Sequence, residues 1–270
     1  MVFGDTVTRT GERHTPERVR SAEDRCMDLR HRYAYQVARD HAVPNSRVLE
    51  VGFGEGYGAA MIADVIANYE GVEVSKDLIR SAQERYPFPN LNFRLYDGPT
   101  LPFADNSFDL VISFQVIEHV HDVGRYVREL HRVSKPRSTI LVTTPNRLLR
   151  LREGERPWNR YHLVEFSPSQ LAGALHVAFP QVEIHGIHAA PEVIEVELHR
   201  LKRLRRLARL DRIGLRYLLP ERVTSIVSRG LARVLGARAP SDAPEFSMSQ
   251  FWHSTESVEA ALDLLAVIRR

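Results

Sequence analysis

One cysteine in 270 residues, Cys26, has nothing to pair with inside the chain. An internal disulfide framework is excluded, and a lone thiol suits a reducing cytoplasm. No apolar run of about 18 residues occurs, so no stretch reads as a membrane span. Residues 1–20, MVFGDTVTRTGERHTPERVR, contain no apolar h-region, and the expectation is a cytoplasmic protein without a secretory signal. Internal repeats and low-complexity segments are lacking too. With 43% hydrophobic and 26% charged residues the composition is ordinary for a globular chain. The length then suits one large domain, or one domain with an appendage.

What is present is alternation. Polar residues up to about 20 read as an arm, and residues 21–41 as a helix; together, 1–42 form an N-terminal arm and lid helix. Beyond it, β-branched apolar runs at 47–51, 69–74, 91–96, 108–114, 139–144 and 182–187 alternate with helical patterns at 59–67, 76–85, 123–133 and 168–177. That order predicts an α/β fold over 43–270, a doubly wound, mostly parallel sheet of seven strands. The last strand is expected at 264–268, after a basic helical insertion at about 191–240.

The stretch VLEVGFGEGYGAAMIA, residues 48–63, places Gly52, Gly54, Gly56 and Gly58 at every second position after an apolar strand. Glycine weakens strands and helices, so such a run needs a cause, and the expectation is a ligand lying against the bare backbone. A strand, a glycine turn and a helix make the nucleotide site of doubly wound folds. The spacing G-x-G-x-G-x-G departs from the dinucleotide fingerprint G-x-G-x-x-G, and Glu50 stands two residues before it. A carboxylate there repels pyrophosphate and welcomes an ammonium or sulfonium group. Glu73 ends the second strand, where an acid accepts ribose hydroxyls. Asp97 follows the third, where it accepts from an adenine amino group.

Through EVGFGEGYG, GVEVS, YDGPTLPFADNSFDLVISFQVIEHV and TTPN, the chain resembles class I S-adenosylmethionine-dependent methyltransferases from about Arg47 to Asn146. The resemblance implies a Rossmann-like methyltransferase fold with S-adenosyl-L-methionine as cofactor. Glu50, Gly52, Gly54 and Gly56 would surround the methionine moiety, Glu73 the ribose and Asp97 the adenine. Gln115 would cover the ligand from the other side, and Arg32, from the lid helix, would reach its carboxylate. The flanks TGERHTPE, DLRHRYAY, RPWNRYHLVEFSPSQL and ALDLLAVIRR resemble bacterial, often actinobacterial, sugar O-methyltransferases. Among these are the 1-O-methyltransferase of methylmannose polysaccharide synthesis and an enzyme of mycofactocin oligosaccharides. The reaction implied is methylation of a hydroxyl on a saccharide or glycoconjugate.

A sugar hydroxyl is a poor nucleophile at neutral pH, so a general base is expected, with His119, His121 and His162 as candidates. Position at the carboxyl edge of the sheet favours His119 and His162, with Glu118 beside them. QVIEH also resembles the E-x-x-E-H element by which some methyltransferases hold a divalent ion. Here Gln115 replaces the first acid, which leaves Glu118, His119 and His162 as the set for a cation such as Mg. Trp158, Tyr161, Trp252 and His253 are candidate stacking surfaces for a sugar ring.

The segment 198–238 carries leucines at 198, 201, 204, 207 and 210 among many arginines. Three readings stay open: a lid or homodimer helix with solvated arginines, a membrane-surface contact, and an RNA contact. DNA is not expected as a partner. The alternatives to a sugar substrate are a phenolic or polyketide metabolite, which the polar segment 147–166 disfavours, and an RNA-directed enzyme or non-catalytic nucleic-acid binder using the basic segment.

Overall fold

A computed structural model of the chain describes residues 19, 21–96, 98–210 and 245–270. The arm at 1–18, Asp97 and most of the basic segment, 211–244, therefore lie outside the described residues. Strand β1 (Arg47–Val51) lies at the middle of an eight-stranded sheet. It pairs in parallel with β2 (Asn68–Glu73) on one side and β4 (Phe108–Phe114) on the other. Beyond these lie β3 (Leu91–Leu95) and β5 (Ser134–Pro145), also parallel. The chain thus reverses its winding between β1 and β4, which opens a crevice at their carboxyl ends.

β8 (Asp263–Arg269) inserts antiparallel between β5 and β6 (Val182–Ala189). The order is β3-β2-β1-β4-β5-β8-β6-β7. The expected seven strands are present, and β7 (Phe251–Ser254) adds a short antiparallel edge against β6. The segment SMSQFWHS carried no strand signal of its own; β7 is held by its pairing with β6.

The central strands are apolar on both faces, as a parallel sheet covered by helices requires. Successive residues of β4 point to opposite sides, Leu110, Ile112 and Phe114 to one core and Val111 to the other. The first core is closed by α1 (Ala22–His41), α2 (Tyr57–Ile62), α3 (Lys76–Arg85) and the start of α7 (Pro191–Leu210). The second is closed by α4 (Val123–Val133) and α6 (Pro168–Leu175). The remaining helix, α5 (Arg147–Arg150), is a single turn after β5.

α1 begins in a capping box between Ser21 and Asp24 and buries Cys26, Leu29, Arg30, Ala34 and Val37. α2 is shorter than its sequence pattern suggested. The side-chain amide of Asn90 donates to the carbonyls of Ala63 (2.7 Å) and Ile66 (3.2 Å), which ends the helix in a 3-10 turn. No helix among the described residues is long and apolar enough to cross a membrane.

Candidate active site

The glycine turn after β1 forms the floor of a cavity at the crevice. Gly52, Gly54 and Gly56 all have positive φ, a conformation that other L-residues adopt only at a cost. The expectation that a ligand excludes side chains along the whole run is corrected here. A Cβ on Gly58 would stand 2.0 Å from the Tyr35 ring, one on Gly56 2.9 Å from Ala82, and one on Gly52 2.6 Å from Val116. Protein fills those places. At Gly54 alone of the four a Cβ would meet nothing within 4 Å, and there the turn lies open to the cavity.

Glu50 does not line the cavity; it is fully buried beneath the turn, and its two oxygens accept from the hydroxyls of Tyr35 (2.6 Å) and Tyr69 (2.5 Å). Burial raises its pKa to about 7, against the opposing pull of those two donors. Its expected contact with the methionine moiety is therefore not direct. Glu50 instead ties α1 and β2 together under the loop.

Glu73 does line the cavity. One carboxylate oxygen accepts from the backbone of Gly54 (3.2 Å), the other from Val74 (2.8 Å) and Ser75 (3.2 Å). This links the end of β2 to the open glycine. On the opposite wall Gln115 has φ +56, and its amide donates to Thr143 Oγ1 and to Asp263 Oδ2, both at 3.3 Å. Arg32 is turned away. Its Nε donates to both oxygens of Asp28 at 3.0 Å, and its guanidinium lies 5.3 Å from the centre of the Tyr57 ring. In its place α1 presents Arg30 and His31 to the cavity.

Glu118, His119 and His162 come together, as expected, with one ligand atom from each within 4.8 Å of the others, and all three are buried. Each is oriented by a neighbour. Nδ1 of His119 donates to the carbonyl of Tyr161 (3.0 Å), Nδ1 of His162 to Glu165 Oε1 (2.9 Å), and Thr144 Oγ1 to Glu118 Oε2 (3.0 Å). With Nδ1 as donor, the lone pair of each imidazole is on Nε2, the arrangement found in metal-ligating histidines. The loop bearing His162 is pinned to the Glu118 turn, with Leu163 N donating to Glu118 O (2.8 Å). His119 reaches the cavity wall, while Glu118 and His162 stand behind it.

A second, smaller chamber adjoins the first. It shares Arg30, His31, Gln115 and His119 with it and adds Met27, Arg150 and Arg200. Sequence reasoning missed these arginines and their partners Asp263, Glu165 and Glu197, because four separate elements bring them together. Arg200 grips Glu197 (2.6 and 2.8 Å), which together with the other arginines holds that carboxyl down at about 2 despite its burial. Arg203 pairs with Glu23, and Arg205 lies over Trp158. Arg200, Arg203 and Arg205 are therefore tied to the body, while Arg206 is exposed. Trp252 is exposed and stacks on His188, and Tyr33 bonds His253 (2.9 Å), both away from the cavity lining.

A doubly wound sheet with a glycine turn at its switch point, tied to Glu73 at the end of the next strand, is the cofactor-site geometry of nucleotide-binding α/β proteins. The methyltransferase domain model matches residues 49–142. A probable S-adenosylmethionine-dependent methyltransferase of Mycobacterium tuberculosis is 31% identical over 198 residues, 71% of this chain and 68% of that protein. Another from Mycolicibacterium smegmatis is 37% identical over 174 residues, 64% of this chain and 65% of the relative, just under two thirds of its length. The solved structure of an S-adenosylmethionine-dependent methyltransferase from Mesorhizobium loti shares the fold, with a TM-score of 0.51 at 16% identity over 88% of this chain and 98% of that one. The chain belongs to the S-adenosylmethionine-dependent methyltransferases, whose methyl donor is S-adenosylmethionine.

Proposed function

We propose that the enzyme O-methylates a hydroxyl of a saccharide or glycoconjugate. The observation that carries this reading is the Glu118–His119–His162 cluster beside the junction of two chambers, the second of which is lined by arginines, Gln115 and two histidines, with Met27 as its one apolar side chain. A polyhydroxylated acceptor is bound by such donors; a flat phenolic or polyketide acceptor calls for aromatic and aliphatic walls.

The residues present fit the donor. Gly54 leaves backbone space, Glu73 is fixed to accept ribose hydroxyls, and Gln115 closes the opposite side. When bound, the sulfonium supplies an electrophilic methyl group. The chain's part is to hold the acceptor oxygen in line with that methyl and to take its proton. Positioning removes much of the entropic barrier, and a base adds about 10²–10⁴-fold. His119, on the wall of both chambers, is the group in place to receive the proton through Nε2. The carbonyl of Tyr161 orients it, and with His162 and Glu118 it makes a two-histidine, one-carboxylate set. Alternatively the set would hold a divalent cation, its two imidazoles suiting zinc or iron better than the Mg expected; the cation would lower the pKa of the hydroxyl, and His119 Nε2 would then be a ligand and not the base.

The test is transfer of tritium from labelled S-adenosylmethionine to oligosaccharide acceptors, the product being an alkali-stable methyl ether. Titration of the metal-free protein with Co²⁺, read by its visible absorption, tests the cation separately. Label found only in RNA or only in phenols would refute the saccharide reading. A homodimer or a membrane-surface contact through 198–238 remains a proposal for the basic segment, most of which is outside the described residues.

A further inference from the structure

The second chamber is built from parts the transfer reaction alone does not require. Arg30 of α1, Arg150 of α5 and Arg200 of α7 converge on it with His31 and His119. The carboxylates that balance them stand behind this wall: Asp263 at 3.0 Å from Arg30 Nε, Glu165 at 3.3 Å from Arg150 Nε, and Glu197 on Arg200 and 3.6 Å from Arg30 Nη1.

The ion pairs are incompletely closed. The side chains of Arg30 and Arg150 are 6% and 7% exposed, and Nε of each faces its carboxylate, at 3.0 and 3.3 Å, without closing a well-aligned hydrogen bond. A guanidinium has five donors in a planar fork that matches carboxylate and phosphate oxygens.

We propose that the acceptor carries an anionic group, a carboxylate or a phosphate ester, which seats against Arg30, Arg150 and Arg200 while a neighbouring hydroxyl faces His119 and the methyl donor. The inference rests on the saccharide reading and narrows it to acidic sugars. Arg30 is shared with the donor cavity, whereas Arg150 and Arg200 line the second chamber alone, so they discriminate between donor and acceptor binding.

The experiment is calorimetric titration of the full chain, loaded with S-adenosylhomocysteine, with methyl glucoside, glucuronate, glucose 1-phosphate and inorganic phosphate. Both anionic sugars are expected to bind at least about tenfold more tightly than the neutral one. The tighter of the two assigns the carboxylate or the phosphate. Arg150→Gln and Arg200→Gln should each remove that preference, and Arg200→Lys should retain part of it, with S-adenosylhomocysteine affinity unchanged as the control for folding. Equal affinity for neutral and anionic sugars would overturn the proposal and spare the saccharide reading. Binding of inorganic phosphate without binding of any sugar would keep the anion site and overturn the saccharide reading instead.

Discussion

Glu50 makes a sharp test, because its environment pulls in two directions. Complete burial disfavours the carboxylate, and the hydroxyls of Tyr35 and Tyr69 favour it. Burial prevails, and the pKa stands at about 7 against an ordinary 4.5. A folded-state value raised above the unfolded one means that the native protein binds the proton more tightly. Stability is then fully present below about pH 4.5 and is lost as pH rises through about 7. The difference corresponds to roughly 3 kcal/mol.

Glu50→Gln keeps the shape and removes the ionisation. Like the protonated acid, glutamine has one acceptor oxygen and a donor, so at low pH it should lie within about 1 kcal/mol of the parent. By about pH 8 the variant should be the more stable by roughly 2–3 kcal/mol. Urea denaturation of both proteins across that range measures the difference directly. A gap between them that stays constant with pH would refute the reasoning, because it would mean that the carboxyl titrates alike in the folded and unfolded chains. Tyr69→Phe gives the converse. Loss of a donor to the charged form should cost about 1.5–3 kcal/mol at high pH and less at low pH.

Other outcomes follow from the same geometry. Gly58→Ala should destabilise by about 1–3 kcal/mol in thermal or chemical denaturation, because its methyl displaces the Tyr35 ring that holds Glu50. Gly54→Ala meets no protein atom, so beyond the modest strain of its positive φ its chief effect should be weaker S-adenosylhomocysteine binding by calorimetry. Glu73→Ala should weaken that binding by about 1–3 kcal/mol and leave the sheet folded. His162→Ala should lower turnover far more than cofactor affinity, and equal losses in both would make the histidine a support of the donor cavity instead.

What the chain reveals before folding depends on how local the information is. The turn, Glu73 and the Glu118–His119 pair are legible, because each is carried by a few consecutive residues at a strand end. Arg30 was recoverable from phase. Residues 26, 30, 34 and 38 fall on one helical face, and all are buried. Arg32, two residues beyond Arg30, falls about 200° away from that face. Glu50 misled for a different reason. Its place before the glycines is that of a ligand contact, but its partners Tyr35 and Tyr69 come from elements separated in sequence, and they take both oxygens.

The same reasoning separates the two halves of the site. Donor-side residues cluster at the ends of β1, β2 and β4, which lie side by side in a parallel sheet that the alternation foretells. Acceptor-side residues come from α1, α5, α7 and the start of β8, and no periodicity predicts their meeting. Asp263 joins the halves: its Oδ2 accepts from Gln115, facing the donor, and pairs with Arg30, facing both chambers. Burial holds the Asp263 carboxyl above its usual range while Arg30 pulls the other way. An anion that draws Arg30 toward the second chamber would loosen Asp263 and, through Gln115, the wall over the methyl donor. Acceptor binding and donor affinity would thereby be coupled, equally in both directions by linkage, and calorimetry of S-adenosylhomocysteine with and without an anionic sugar measures it.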